Sequence, residues 1–502
     1  MTGVVVSEQA IRSRPTVAVV GGGISGLVAA WRLATAAEAP AVVLLEQSGR
    51  IGGKLLAGAL GDLEIDLGAE SVLARRAEAV GLLAELGLAA DVVHPVTTSA
   101  GVLRDGRLHP LPPGTLMGVP GRPETLAGLL TPEEIARVAA EPTLPPTPVG
   151  ADVDVASWVA ARVGPAVVDR LVEPLLGGVY AGHADRLSLR VTVPQLWQQA
   201  RAGGSLLAGV RAAVEATRRD GEPAPVFAGL RGGLGRVPSR LAEELTGRGV
   251  EIRTKVTVRS LERTAGGWRL VTGQVPAPVT VEADAVVLAV PPTPAARLLR
   301  AVAPAASAEL GRIETASVAV VAALLPRAAL SGLTGSGLLV PPVEGHPVKA
   351  ATFASAKWAW VDELDPAHVV VRASLGRAGE EAVLQRDDGE LAALALTDLG
   401  AVLGRELRPV ATRVVRWGGA LPQPAVGHAE AMERVQAAVA AVPGLAVCGA
   451  VIDGVGIPAC VAAAGRSAAQ VLRSLPGRPA DPADPGRPDP GRPVTAGGRK
   501  GE

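Results

Sequence analysis

The sequence of 502 residues predicts an α/β fold built around a Rossmann-like dinucleotide-binding domain. The first observation is an apolar strand, Thr16–Val20, that ends at the glycine-rich sequence G-G-G-I-S-G of residues 21–26. The second is a helical pattern over residues 25–37, followed by a buried strand, Ala41–Leu45. The third is Glu46, which ends this strand 20 residues after the last glycine. Strand, glycine turn, helix, strand and acidic residue in this order are typical of a dinucleotide-binding unit.

The glycines of this loop differ in what they permit. Gly21 allows the tight turn that ends the strand, Gly23 lets the backbone approach a pyrophosphate, and Gly26 lets the helix pack close to the strand. The N–H groups at the helix start face the phosphates, while the Glu46 carboxylate accepts hydrogen bonds from a ribose diol. A plain tight turn is the alternative interpretation of the glycines alone. We predict dinucleotide contacts at Gly21, Gly22, Gly23, Ile24, Ser25, Gly26, Glu46 and Gln47.

A second glycine pair follows in the segment Arg50-Ile-Gly-Gly-Lys54. Two consecutive glycines behind an arginine permit the backbone to approach a second phosphate-bearing surface. An NAD dehydrogenase does not need this element, whereas R-x-G-G-[RK] at this place resembles the FAD-dependent amine oxidase and porphyrinogen oxidase superfamily. A β-turn is the alternative for this segment alone, but the two motifs together favour FAD over NAD as the cofactor.

Composition and charge argue against several classes of function. The 49 basic and 49 acidic residues balance, which argues against nucleic-acid binding. Apolar stretches such as Thr315–Pro326 are too short to span a membrane, and the glycine motif explains the apolar run behind Arg12 and Arg14 better than a signal peptide does. We therefore predict a cytoplasmic protein. Cys448 and Cys460 have no C-x-x-C spacing and the six histidines have no ligand spacing, so no metal site is predicted.

The first domain is predicted to be assembled from distant pieces of chain. Residues 120–224 have helical patterns, including one long pattern over Pro194–Thr217, and residues from about 300 to 415 alternate as strands. A tail with three Pro-Gly-Arg-Pro repeats cannot bury a core. The predicted units are a flexible arm (1–14), a discontinuous FAD-binding domain (15–90, 225–292 and 415–474), a mixed-sheet substrate domain (91–119 and 293–414), a helical subdomain (120–224) and a disordered tail (475–502). This arrangement is that of the p-hydroxybenzoate-hydroxylase and amine-oxidase type of flavoprotein, an analogy that does not itself fix function.

Further segments along the chain form a second pattern. The most specific is Pro174–Gly182, P-L-L-G-G-V-Y-A-G, and the others are Asp66–Arg76, Ala351–Trp358, Val371–Arg377, Arg416–His428 and Cys448–Cys460. In this order they resemble the protoporphyrinogen/coproporphyrinogen III oxidase family of heme biosynthesis, in its bacterial Gram-positive type. Four alanines depart from that family's pattern, and they concern the pocket rather than the reaction class: Ala69 in place of Pro, Ala425 in place of Tyr, Ala450 in place of Asn and Ala459 in place of Asp.

The resemblance implies a set of FAD contacts. The first glycine loop would hold the pyrophosphate, Glu46 the adenosine ribose, and Val256 the adenine through its backbone. For Trp417, a core tryptophan is an equal alternative. The remaining implied contacts lie along the phosphates and ribityl chain (Arg50, Gly52, Gly53 and Lys54), beside the isoalloxazine (Gly68, Ala69, Glu70 and Ser71) and on its far side (Trp417, Val455, Gly456 and Ile457).

The reaction implied by the resemblance is oxidation of coproporphyrinogen III to coproporphyrin III by FAD and dioxygen, with hydrogen peroxide as a product. No catalytic acid or base is assigned. A substrate with four propionates requires cations, so Arg75 and Arg76 are the candidates, with a solvated arginine pair as the alternative. Val179 and Tyr180, in the most specific segment, are further substrate candidates. In relatives of this kind, oxidation to coproporphyrin precedes iron insertion, so the resemblance implies ferrochelatase as a transient partner.

Three other functions stay open at this point. Protoporphyrinogen IX, with two propionates, is the alternative substrate. An amine or carotenoid oxidoreductase is a second alternative, although the scarcity of Tyr and Phe argues against the aromatic cage of an amine oxidase. A flavin-holding relative without activity is a third, and the alanines at positions 425, 450 and 459 keep it open.

Overall fold

The computed structural model of the chain describes residues 14–219, 222–223 and 225–475. The predicted arm and tail, apart from residues 14 and 475, lie outside these described residues. The first βαβ unit is confirmed, with the strand Thr16–Val20, the helix Ile24–Ala34 and the strand Ala41–Leu45.

These two strands belong to a five-stranded parallel sheet. Thr16–Val20 is central, between Ala41–Leu45 and Ala285–Leu288, and the edges are Glu251–Arg253 and Leu445–Val447. Both faces of this sheet are covered, which is why its strands are nearly continuous apolar runs.

The two faces of the central strand pack on different layers. Val17 and Val19 lie in one core cluster with residues of the helices Ile24–Ala34, Arg236–Gly247 and Ile457–Ser474. The opposite face packs on a three-stranded antiparallel sheet and three helices: Ser260–Thr264, Gly267–Gln274, Ala277–Ala283, Pro292–Leu299, Pro304–Gly311 and His428–Ala440.

A second, mixed sheet has seven strands, in the order Ala411–Pro422, Thr315–Pro326, His368–Leu375, Val348–Phe353, Gly337–Leu339, Gly101–Arg104 and Arg107–Pro110. Its neighbours are antiparallel except for Gly337–Leu339 and Gly101–Arg104, which run parallel. The helix Asp388–Leu403 packs against this sheet. A domain boundary at residue 415 would cut the strand Ala411–Pro422, so we place that boundary after Pro422.

The helical region differs from the predicted pattern at one place. The single long helix predicted over Pro194–Thr217 is wrong, because the structure has two helices there, Pro194–Ala202 and Leu206–Glu215. Gly203 ends the first helix in a left-handed conformation, with φ of 72°. The Ser205 side chain then accepts a hydrogen bond from an N–H of the next helix, which fixes its start.

The other elements are short. The remaining helices are Ala77–Glu85, Pro132–Ala139, Val155–Val163, Pro165–Val167, Glu173–Tyr180, Leu189–Thr192, Ala354–Lys357, Ala359–Asp362 and Ala450–Asp453, with a π-helical turn at Val168–Val172. The remaining strands are Ala57–Leu60 with Leu63–Asp66, Phe227–Leu230 with Val72–Leu73 and Val92–Val93, Thr115–Leu116 with Val119–Pro120, and Arg218–Arg219 with Glu222–Pro223. The hairpin of residues 57–66 leads the chain from the second glycine pair to the segment Gly68–Ser71.

Candidate functional site

A cavity of about 770 Å³ lies between the carboxyl ends of the parallel strands and the mixed sheet. Ligands of open α/β sheets bind at this edge of the sheet. The wall contains most of the predicted cofactor residues: Gly21, Gly23, Ile24, Ser25, Glu46, Gln47, Gly53, Lys54, Gly68, Ala69, Glu70, Ser71, Val256, Trp417, Val455, Gly456 and Ile457. Gly22, Gly26, Arg50 and Gly52 lie outside this wall, with Gly26 in the helix Ile24–Ala34 and the other three in the adjoining loops.

The glycines of the first loop differ in whether the fold has room for a side chain at their positions. A Cβ on Gly21 would lie 2.4 Å from the carbonyl oxygen of Ala289, and one on Gly26 would lie 1.8 Å from the carbonyl oxygen of Gly21. A Cβ on Gly23 would meet no protein atom nearer than the Gly53 Cα, at 4.0 Å. Gly23 therefore leaves open a part of the cavity that the protein itself does not fill, which fits a bound pyrophosphate.

Two helix N-termini lie in the cavity wall. The helix Ile24–Ala34 begins behind Gly23, and the helix Ile457–Ser474 begins behind Gly456. Neither helix has a side-chain cap or an acidic residue in its first turn. Both ends therefore present backbone N–H groups and a positive dipole to an anionic ligand, which also fits a dinucleotide.

Glu46 is held by the backbone around it. Its Oε2 accepts a hydrogen bond from Gly22 N at 2.7 Å, and its Oε1 accepts one from Ser48 N at 2.7 Å. Each carboxylate oxygen retains acceptor capacity for a ribose hydroxyl. The predicted backbone contact of Val256 with the adenine needs a correction. Val256 lies beyond the strand Glu251–Arg253, and its N–H donates to the Glu46 carbonyl oxygen at 2.9 Å. That N–H is therefore not available to an adenine edge.

The second glycine pair joins the two loops. Gly52 N donates to the Gly22 carbonyl oxygen at 2.7 Å. The Arg50 guanidinium donates to the Gly53 carbonyl oxygen at 2.8 Å and lies 5.7 Å from the centre of the Trp417 ring. Trp417 is half-buried in the cavity wall, so the core-tryptophan alternative does not describe it.

Glu70, in the cavity wall, is paired with two cations. Its carboxylate pairs with Lys357 Nζ at 2.7 Å and with the Arg372 guanidinium at 2.6 Å, and Arg372 also donates to the Gly68 carbonyl oxygen. Desolvation alone would raise the pKa of Glu70, but the two cations overcome it and lower the pKa to about 2. Glu70 is therefore ionised at neutral pH, and it fastens the segment Gly68–Ser71 to the mixed sheet.

The predicted substrate residues are not brought together. Val179 lies in the cavity wall, whereas Tyr180 is buried in the helical core, where desolvation raises the pKa of its hydroxyl to about 12. Arg75 and Arg76 are exposed and outside the wall, and Arg76 pairs with Glu78 at 2.8 Å. The prediction that the two arginines bind substrate is not supported by their position, because Arg76 is held by a carboxylate two residues away.

Sequence reasoning assigned no role to three cations of the wall, Arg297, Arg372 and Lys349. Arg372 and Lys349 lie on neighbouring strands of the mixed sheet, His368–Leu375 and Val348–Phe353. The signal that could have found Lys349 is a charged residue within an otherwise apolar strand. Desolvation and the nearby Arg377 lower the pKa of Lys349 to about 7.

Comparison with known proteins shows which family has this arrangement. A family model described as flavin containing amine oxidoreductase matches residues 24–472. The chain belongs to the flavin-containing amine oxidoreductase family. This membership confirms the predicted amine-oxidase type of α/β fold, the FAD cofactor and the flavin-dependent oxidoreductase class. The cavity described above fits that cofactor through its glycine loops and helix N-termini.

Two relatives within this family and one more distant solved structure are similar to the chain. The coproporphyrinogen III oxidase of Mycobacterium tuberculosis is 38% identical over 91% of this chain and 97% of its own length. The crystal structure of an Exiguobacterium protein assigned as a protoporphyrinogen oxidase is 32% identical, with a TM-score of 0.80 over 91% of this chain and 98% of that one. Putrescine oxidase bound to putrescine, at 18% identity and a TM-score of 0.61 over 91% of this chain and 99% of that one, shares the fold.

Two further properties of the described residues bear on the predictions. Within this part of the chain, no helix has the length and apolar character needed to cross a bilayer. Across residues 14–219, 222–223 and 225–475, histidine, cysteine and carboxylate side chains form no group of three or more that could hold a metal ion.

Proposed function

We propose that the chain oxidises coproporphyrinogen III to coproporphyrin III with FAD and dioxygen. The main support is the 38% identity, over 91% of this chain, to a protein named coproporphyrinogen III oxidase. The geometry adds further support. The loops that fit a dinucleotide, residues of the mixed sheet, and Gly178 and Val179 of the most family-specific segment all line the same cavity.

The proposed reaction removes six hydrogen atoms from the porphyrinogen macrocycle. The bound flavin would accept them two electrons at a time and transfer them to dioxygen, so that each coproporphyrin formed is accompanied by three molecules of hydrogen peroxide. The chain's own contribution is to bind the cofactor and hold the reacting carbon beside it.

The binding roles of the wall residues are part of this proposal. Gly21–Gly26 and the two helix N-termini would hold the pyrophosphate, and Glu46 the adenosine ribose. The segment Gly68–Ser71, fastened through Glu70 to the mixed sheet, would lie against the isoalloxazine. We assign no acid or base, because Glu70 is ionised and already paired with two cations.

The wall is also informative about the alternative of an amine oxidase. Among the wall residues of the described chain, Trp417 is the single aromatic side chain. A cage for an amine requires aromatic faces on several sides of the cation. The wall therefore favours a porphyrinogen over an amine. Its composition does not separate coproporphyrinogen III from protoporphyrinogen IX.

Aerobic turnover of the purified, FAD-loaded protein tests the proposal. We expect porphyrin fluorescence and hydrogen peroxide from coproporphyrinogen III, with a higher kcat/KM than from protoporphyrinogen IX. A preference for protoporphyrinogen IX would overturn the substrate but keep the reaction class. No porphyrin from either substrate, with flavin bound, would leave an amine oxidase or an inactive relative, and flavin reduction by putrescine would separate these two.

The cytoplasmic location and the transfer of coproporphyrin to a ferrochelatase belong to the same proposal. Their support is the sequence resemblance to heme-biosynthesis oxidases. Co-purification of a ferrochelatase with the tagged chain, compared between lysates with and without added coproporphyrin III, tests the partner.

A further inference from the structure

Lys349 is a buried lysine in the wall of the cavity. Only 4% of the residue is exposed. It lies between Val348, which pairs with Leu375, and Ala350, which pairs with Ser374, so the register shifts by one residue at Lys349. Bulges of this kind redirect a side chain and are frequent beside active sites. The sheet therefore departs from its regular register at this lysine.

The ammonium of Lys349 has little compensation from the protein. Its Nζ donates to the Gly376 carbonyl oxygen at 2.6 Å, which uses one of its three hydrogens. Within the described residues it forms no ion pair with a carboxylate. Its charged neighbours are Arg377, which is a like charge, and Glu380, whose carboxylate lies 3.6 Å from Arg377.

The other charges around this end of the mixed sheet are already paired. Arg372, on the adjacent strand, forms an ion pair with Glu70, which also pairs with Lys357. At the start of the strand that carries Lys349, Asp398 accepts hydrogen bonds from His346 and from Val348 N. Lys349 is thus a cation of this wall without a carboxylate partner among the described residues. Lys54 and Arg297 share this property, but Lys54 lies in the second glycine segment assigned to the cofactor and Arg297 donates to the Val258 carbonyl oxygen.

Burial of an unpaired ammonium is unfavourable, and titratable groups perturbed by burial are frequent at ligand-binding and active sites. An anionic group of a ligand in the cavity would provide the missing partner through a charge-assisted hydrogen bond.

We propose that Lys349 binds a carboxylate of the substrate. This inference rests on the proposed function, which supplies a substrate with four propionates. It replaces Arg75 and Arg76 with a residue of the cavity wall, and it predicts that Lys349 acts in substrate affinity and not in FAD binding.

The test uses FAD-loaded Lys349→Met and Lys349→Arg variants. Arg408→Gln is the matched control, because it removes one positive charge from an exposed pair with Glu406, remote from the cavity wall. The measurements are KM and kcat for coproporphyrinogen III, the Kd of coproporphyrin III from fluorescence titration, and the flavin absorption spectrum. We expect Lys349→Met to raise KM and Kd about tenfold or more, with a smaller change in kcat and an unchanged flavin spectrum.

The outcomes separate the inference from the proposed function. If the wild type oxidises coproporphyrinogen III and Lys349→Met keeps its KM and Kd, the inference alone is overturned. If the wild type neither oxidises coproporphyrinogen III nor binds coproporphyrin III, the proposed function fails and takes the inference with it. Lys349→Arg retains the charge and should recover most of the affinity. Equal loss of affinity in both variants, or loss of flavin from Lys349→Arg, would assign Lys349 a packing role instead.

Discussion

Matched alanine substitutions at Gly23 and Gly26 should separate FAD binding from folding. Each adds one Cβ to the same loop. At Gly26 the new atom would lie 1.8 Å from a backbone oxygen, so the strand and helix must move apart, and overpacking of this kind costs about 1–3 kcal/mol. At Gly23 the nearest protein atom is 4.0 Å away and φ is −73°, which suits alanine. The flavin-free stability should therefore change by no more than about 0.5 kcal/mol.

The assay is chemical unfolding of the flavin-free variants together with titration of each with FAD. Gly23→Ala should have wild-type stability without flavin but at least tenfold weaker FAD binding, because its methyl group occupies space proposed for the pyrophosphate. Gly26→Ala should lose stability even without flavin. Wild-type FAD affinity in Gly23→Ala, or wild-type flavin-free stability in Gly26→Ala, would refute this division of roles.

Three further results are expected. Glu70→Gln leaves the cations Lys357 and Arg372 without their carboxylate, so the free energy of unfolding should fall by about 3–5 kcal/mol in chemical denaturation. Folding lowers the pKa of Glu70 from 4.5 to about 2, so this stabilisation is complete above the unfolded-state pKa and is lost as the pH falls towards 2. Unfolding of the wild type and of Glu70→Gln at a series of pH values will check this dependence. The pKa of Lys349 is about 7, so the Kd of coproporphyrin III should rise with pH above 7 in the wild type but not in Lys349→Arg. Arg76→Ala should leave KM unchanged in steady-state assays, because Arg76 lies outside the cavity wall.

The cofactor half of the site is predictable because its determinants are local. The turn, the helix start and the acid lie within 30 residues of one another, and each position requires a particular residue type. Gly21 needs a left-handed conformation, with φ of 107°, and Gly26 has no room for a side chain. Such requirements restrict the residue type at each position to glycine, so they can be recognised in the sequence.

Other parts of the site are not predictable in this way, because their partners are distant in the chain. Glu70 and Arg372 are 302 residues apart and meet only when the mixed sheet packs on the first domain. Arg75 and Arg76 follow the segment Gly68–Ser71 in sequence, but both are exposed and Arg76 pairs locally with Glu78. Val256 illustrates the same limit, since its position was predicted while the use of its N–H depended on how strand Glu251–Arg253 ends.

If Lys349 binds a substrate carboxylate as proposed, the charge of the cavity wall, and not the fold, selects the class of substrate. Putrescine oxidase shares the fold at a TM-score of 0.61, so the fold alone is compatible with a cationic substrate. A protonated amine entering this cavity would meet Lys349, whose charge is not neutralised by a carboxylate of the described residues, and like charges in a low dielectric repel strongly. A propionate in the same place would be attracted to Lys349 with an energy of comparable size. By this proposal the same lysine would disfavour amines and favour carboxylated substrates, and Lys349→Met should narrow the difference in affinity between the two classes.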